Sequence, residues 1–278
     1  MDPLFRNSRR KLSQGLLFWR EIGKGTPLIF LHGAWHDSSQ WVSAMELLSL
    51  DCDCFAPDLL GFGESENPNI HYSIDLQVEC LAEFLYALKL DKVYLVGESL
   101  GGWIAASYAL KYPEQVLGVV LLAPEGVSLG GQENYWRKMR QLVNCSPLLV
   151  KFLRFLTPLT KILGLHAKIA EVLQLRDKTL QYPIACQLLF KRQRLEIEAE
   201  LLQNRLYLTE VGVLILQGGK DRPDALDRSK IYAQLIPKAE LKIIAHGEEN
   251  LAESCAGVVA EEIRSFIETH GKRKTLWL

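Results

Sequence analysis

Gly97-Glu98-Ser99-Leu100-Gly101-Gly102 is the stretch of this chain best equipped to do chemistry. A serine hydroxyl is a weak nucleophile until its backbone lifts it clear and a neighbour takes its proton. The apolar run Val93–Val96 predicts a buried strand just before it. Leu100–Tyr112, rich in Ala and Leu, predicts a helix just after it. Strand, tight turn and helix are the context in which G-x-S-x-G carries a mechanism. The corner is strained, so the residues two before and two after the serine must be small. Gly97 and Gly101 meet that need, and Gly102 lets the helix approach closely. Such a corner raises the Ser99 hydroxyl out of the sheet. It also aims the Leu100 N–H, at a helix N-terminus, toward developing negative charge. The alternative is a Gly-rich strand-to-helix turn without chemistry.

The elements that must hold this corner follow in chain order. Leu16–Ile22 predicts a first strand and Leu28–Leu31 a buried one, ending in His32-Gly33-Ala34-Trp35. Ser38–Leu48 is amphipathic and helical, with Ser38 or Ser39 as cap. Cys52–Ala56 is the next strand, leading into the Gly-rich loop 57–65. Ser73 caps a helix over Ile74–Leu90. Val116–Leu122 is a strand. Regular alternation then stops, and residues 127–207 read as helices punctuated by Pro147, Pro158 and Pro183. It resumes with Val213–Gln217, a helix around Asp227–Leu235, Leu241–Ala245 and a last helix over 250–268. Such alternation argues one doubly wound, mostly parallel sheet flanked by helices, an α/β fold. Residues 16–126 and 208–270 would form the core, 127–207 an inserted helical lid and 1–15 a loose arm.

Composition narrows the classes. The 278 residues are 48% hydrophobic and 23% charged, with a net charge of −1. That is the make-up of a globular domain, and it gives nucleic acid no electrostatic foothold. The six cysteines show no metal-ligand spacing and read as small core residues in a reducing compartment. No apolar stretch follows the basic N-terminus and no run is long enough to span a bilayer. The expectation is a cytoplasmic protein.

Three blocks together resemble the α/β-hydrolase family, in its lid-bearing esterase, lipase and carbon–carbon hydrolase branch. His32-Gly33-Ala34-Trp35 resembles its oxyanion block. Asp58-Leu59-Leu60-Gly61-Phe62-Gly63-Glu64-Ser65 resembles its D-x-x-G-x-G-x-S loop. The Ser99 corner resembles its nucleophile elbow. The resemblance runs from about residue 16 to 268. It implies Ser99 as nucleophile and the N–H groups of Ala34 and Leu100 as the oxyanion hole. It places the orienting acid at Asp221, at the end of the strand Leu214–Gln217, with Asp224 as substitute. It implies no cofactor and no metal.

The base is where this chain departs from the family pattern. A Gly-His pair is expected after the last strand, and aligned on Asn250-Leu251-Ala252-Glu253 it falls on Glu248-Glu249. The nearby histidine, His246, lies about three residues early. A span of three residues reaches at most about 10 Å, so a re-routed loop would bring His246 to Ser99. Otherwise a carboxylate stands in the base slot. With a reference pKa near 4.3 it is a poor base for a hydroxyl. His32 suits a structural hydrogen bond, and His71, His166 and His270 suit surface or lid positions.

The lid would carry nine basic and two acidic residues between Trp136 and Lys178, around an apolar run from Leu148 to Leu165. An apolar lid over a serine favours a small apolar or amphiphilic substrate. A basic amphipathic surface would also make weak peripheral contact with anionic headgroups. The same pattern fits a lid helix pair with its charges in water. Trp35, His36, Glu98 and Trp103 are the candidate pocket walls, with Trp41 and Phe62 as wall or core. The expected reaction is hydrolysis of a carboxylic ester or related acyl bond by Ser99, His246 and Asp221. The rival expectation is a binding protein on the same fold with its base lost.

Overall fold

A computed structural model describes residues 4–130, 133–146, 148, 150–151 and 166–275. Eight strands form one sheet: β1 (Arg6–Lys11), β2 (Leu16–Gly23), β3 (Thr26–Leu31), β4 (Cys52–Pro57), β5 (Val93–Glu98), β6 (Val116–Leu122), β7 (Val213–Gly218) and β8 (Ala239–Ile244). Their order is β1-β2-β4-β3-β5-β6-β7-β8. The β1/β2 and β2/β4 pairs are antiparallel, and the remaining pairs are parallel. The α/β architecture expected from the alternation is the one observed.

Alternation along each strand sets what covers the sheet. Leu28 and Phe30, Tyr94 and Val96, Val120 and Leu122, and Leu214 and Leu216 share one face. There they meet α1 (Val42–Leu48) and the last helix, α10 (Ala256–Thr275), through Met45, Val259, Ile263 and Phe266. The alternate residues Ile29, Leu31, Leu95, Leu121 and Ile215 are buried as well. Here α2 (Ile74–Leu88) packs against α3 (Leu100–Lys111), which lies on β5 and β6. Most of α3 is buried, as expected of a helix apolar nearly all round.

Local expectations differ from the structure at two places. Residues 6–11, expected within a loose arm, form edge strand β1, paired from Arg6 opposite Glu21 to Lys11 opposite Leu16. The strand is polar on both faces, so it carries no alternation to read. Its ion pairs come from distant residues: Arg6 with Glu21, Arg9 with Glu64 and Lys11 with Glu66. A basic edge strand also discourages pairing with another chain. The helix over 38–48 starts as a 3₁₀ turn, Ser38–Trp41, capped by Asp37 rather than Ser38 or Ser39. The Asp37 carboxylate accepts from the Ser39 N–H. Ser73 caps α2 as expected, accepting from the Leu76 N–H.

The chain divides into two compact units. One is residues 1–129 with 200–278, and the other is residues 130–199. The second unit is helical: α4 (Glu133–Val143), α5 (His166–Leu180), α6 (Pro183–Cys186), a π turn (Gln187–Lys191) and α7 (Arg194–Glu200), whose last residue falls in the larger unit. Within it Arg140 donates to the carbonyls of Phe190 and Arg192, and Arg176 to those of Leu142 and Cys145. Most of the apolar run expected for the lid, with Arg154, Lys161, Pro147 and Pro158, lies outside the described residues. Among the described residues no helix is long and apolar enough to cross a membrane.

Candidate active site

Ser99 joins β5 to α3 with φ +52° and ψ −110°, a backbone that an L-residue rarely adopts. Strain of this kind costs about 1–3 kcal/mol and persists only when neighbours over-determine it. Here they do. The Ser99 N–H donates to the Leu122 carbonyl at 2.9 Å, and the Ser99 carbonyl accepts from Glu125 at 3.0 Å and Trp103 at 3.1 Å. The flanking glycines are required by space. A Cβ on Gly101 would fall on the Leu31 carbonyl, and one on Gly97 on the Gly101 carbonyl. Ser99 is half-buried, and Leu100, the first residue of α3, presents its N–H beside it.

The oxyanion block is fixed by a neutral imidazole. His32 is fully buried, and burial pushes its pKa down. The Leu59 N–H donates to His32 Nε2 at 3.0 Å, so Nδ1 holds the proton and donates to the Gly33 carbonyl at 2.8 Å. The Gly33 N–H in turn donates to Gln40 Oε1 at 2.9 Å. Ala34, next in the chain, is buried beside it. Asp58 stiffens the neighbouring loop, accepting from the N–H groups of Ser38 and Glu64.

Glu98, expected on the pocket wall, is packed inside. It is 4% exposed, Oε1 accepts from the Leu251 N–H at 2.8 Å and Oε2 from Gln40 Nε2 at 2.5 Å. Burial pushes its carboxyl up to about 8, against the pull of the Leu251 and Ala252 N–H groups. Gln40 Nε2 also donates to Asn250 Oδ1 at 3.0 Å. Gln40, Glu98 and Asn250 thus tie the oxyanion loop, the elbow and the start of α9 (Leu251–Ser254) together. Trp103 is likewise interior, 2% exposed, with its indole N–H donating to the Glu200 carbonyl at 3.2 Å. Trp41 is core, packed on Phe30. Trp35 and His36 are half-buried at the loop surface.

Asp221 sits just past β7. Its Oδ2 accepts from Gln217 Nε2 at 2.9 Å and its Oδ1 from the Arg222 N–H at 2.6 Å. Gln217 is itself held by the Ser229 hydroxyl at 2.6 Å. The Asp221 charge adds to the upward push on the Glu98 and Glu125 carboxyls. Asp224 is engaged elsewhere, with Arg228 Nη1 at 3.1 Å. Arg228 Nη2 meets Glu125 at 3.0 Å, forming a buried group beside the elbow that the sequence did not reveal.

His246 does not join Asp221. It is exposed and makes no hydrogen bond among the described residues. The turn around it is pinned, with the Gly247 N–H donating to Ile244 and the Lys220 N–H to Gly247, each at 2.9 Å. A Cβ on Gly218 would lie 2.7 Å from the Gly247 carbonyl oxygen, so the turn sits tightly on β7. Glu248 and Glu249 are exposed, and Glu249 lies 3.8 Å from Arg222. His71 is exposed, and the side chains of His166 and His270 lie outside the described residues.

One histidine, His36, lies near the elbow. The position a Cβ on Gly33 would take is 3.7 Å from His36 Cδ2 and 3.7 Å from Ser99 Cβ. On its other side, His36 Nδ1 is 4.0 Å from Glu253 Oε1. Glu253 Oε2 accepts from Asn250 Nδ2 at 2.7 Å. Among the described residues no cluster of His, Cys, Asp and Glu is arranged to hold a metal ion.

Known proteins resemble parts of this chain in sequence and most of it in fold. Over 115 residues the chain is 42% identical to the 1-acylglycerol-3-phosphate O-acyltransferase ABHD5 of Mus musculus, a match covering 40% of this chain and 33% of that protein. It is 38% identical to the 2-hydroxy-6-oxo-2,4-heptadienoate hydrolase of Pseudomonas putida, covering 39% of this chain and 41% of that enzyme. These matches therefore span well under half of either relative. A thermophilic esterase from Thermogutta terrifontis has the same fold, with a TM-score of 0.71 at 20% identity over 95% of this chain and 99% of that one. The family model for the alpha/beta hydrolase fold matches residues 26–253, and with the elbow and sheet order described above, the chain belongs to that family.

Proposed function

We propose that the protein is a serine hydrolase that cleaves a carboxylic ester or related acyl bond of a small apolar or amphiphilic molecule. One observation carries this reading: Ser99 is held at φ +52°, half-buried, at a corner where neither Gly97 nor Gly101 has room for a side chain. A fold maintains such strain where the strain serves a site. Ser99 Oγ attacks the carbonyl carbon, and the N–H groups of Ala34 and Leu100 receive the oxyanion. Each such donor is worth about 3–4 kcal/mol in the transition state. Asp221 supplies the fixed negative charge at the strand end. His246 would serve as base only if its turn opened toward Ser99. The matched relatives are named for acyl transfer and for hydrolysis, which supports the reaction class. No cofactor is assigned, and the reading gives nucleic acid no role.

The exposed His246 favours a second reading, a binding protein whose base has been lost. Hydrolysis of short and medium p-nitrophenyl esters separates the two. A rate that disappears in Ser99→Ala supports the hydrolase. A rate no greater than that of Ser99→Ala, from folded protein, rejects it. If Glu249→His then creates a Ser99-dependent rate, the base alone was missing.

A further inference from the structure

We propose that His36, backed by Glu253, takes the proton of Ser99 in place of a histidine in the β8–α9 loop. The inference rests on the serine-hydrolase reading and deepens it.

The geometry is that of a base held between a nucleophile and an acid. His36 turns Nδ1 toward the Glu253 carboxylate, 4.0 Å away. The opposite edge of the ring carries Cδ2 and Nε2. Its Cδ2 lies 3.7 Å from the same point above Gly33 that is 3.7 Å from Ser99 Cβ. Nε2, bonded to that carbon, is the nitrogen we assign as the base. Among the described residues Nε2 has no other hydrogen-bond partner. Catalytic hydrogen bonds are commonly long before substrate binds.

Both partners are positioned. The His36 N–H donates to the Gly33 carbonyl at 3.3 Å, closing the turn that carries the ring. Glu253 Oε2 is held by Asn250, leaving Oε1 for the imidazole. Asn250 is tied through Gln40 to the Gly33 N–H and to Glu98, next to Ser99. One network therefore sets nucleophile, oxyanion loop and acid together. Two titratable groups near the ring are His32, with both nitrogens engaged, and Asp37, bonded to the Ser39 N–H. Neither competes for Nε2.

The step balances without a co-reactant. The Ser99 Oγ proton moves to His36 Nε2 as Oγ bonds the carbonyl carbon and the carbonyl π pair moves to oxygen. When that pair returns, the bond to the leaving oxygen breaks, and His36 gives its proton to it. Water repeats the sequence on the acyl-enzyme.

The test is the rate of fluorophosphonate labelling of the full chain across pH, for wild type, Ser99→Ala, His36→Gln, His36→Ala with and without free imidazole, His246→Ala and Glu253→Gln. The expected result is a Ser99-dependent rate that falls at least about 100-fold in His36→Gln and is partly restored by imidazole in His36→Ala. Glu253→Gln should slow labelling about tenfold and move the acidic limb of the profile to lower pH, as loss of a neighbouring negative charge requires. Glu253 is exposed, so this variant reports even if His36→Gln folds poorly. Labelling in His36→Gln within about threefold of wild type, a Glu253→Gln profile like wild type, or a loss confined to His246→Ala overturns the inference and leaves the hydrolase standing. Wild type that shows no Ser99-dependent labelling overturns both.

Discussion

Glu98 and Leu251 are 153 positions apart in the chain, and the Leu251 N–H donates to Glu98 Oε1 at 2.8 Å. The residue before Ser99 thereby anchors the start of α9, where the loop after β8 ends. The Glu98 carboxyl receives the first N–H of α9, and burial opposes its charge. Its raised pKa has a definite sign. The folded protein holds a proton on Glu98 that the unfolded chain releases above about pH 4.3. That contribution to stability is complete below the unfolded pKa and is lost as pH rises to about 8. The urea midpoint of wild type should fall more between pH 5 and pH 8.5 than that of Glu98→Gln. Parallel profiles would remove Glu98 as the source.

The elbow glycine after Ser99 is set by backbone, not by a movable side chain. In Gly101→Ala the new methyl meets the carbonyls of Leu31 and His32. A destabilisation of about 3 kcal/mol or more is expected, read from urea unfolding. A loss under about 1 kcal/mol would mean that β3 and α3 can part more easily than their packing indicates.

Strain at Ser99 separates stability from chemistry. Glycine adopts a positive φ freely, so Ser99→Gly should raise the unfolding free energy by about 1–2 kcal/mol while removing fluorophosphonate labelling. A less stable Ser99→Gly protein would show that the serine side chain contributes more to the fold than its backbone costs.

Arg228 is 3% exposed and pairs with Glu125 and Asp224. Arg228→Met leaves those carboxylates with only the more distant Arg222, a loss of about 3 kcal/mol for a buried pair broken on one side. Burial already raises the Glu125 pKa, against the pull of Arg228. Without the arginine it takes up a proton more readily, so the loss should be smaller at pH 5 than at pH 8. Equal losses in thermal or urea unfolding at the two pH values would contradict this.

The sequence by itself determined the sheet's parallel core and the elbow, because each rests on short-range signals. Val93–Val96 is apolar, the glycines sit two positions either side of Ser99, and Ser73 caps its own helix. The sequence also carried the departure from the family pattern, with Glu248-Glu249 where the resemblance leads one to expect Gly-His. Only the tertiary structure decided what surrounds Ser99. Glu98 and Trp103 resemble wall residues in one dimension, yet the packing of α9 and the Glu200 segment places them inside. Gln40 and Asn250 carry no local signature, because they are partners 210 positions apart, and Glu253 meets His36 from as far along the chain. The edge strand β1 was hidden for the same reason: its pairing and its ion pairs come from β2 and the 57–65 loop with Glu66 beyond it. His36 was a candidate pocket wall in the sequence, and only the fold set its ring near Gly33 and Ser99 with Glu253 beside Nδ1.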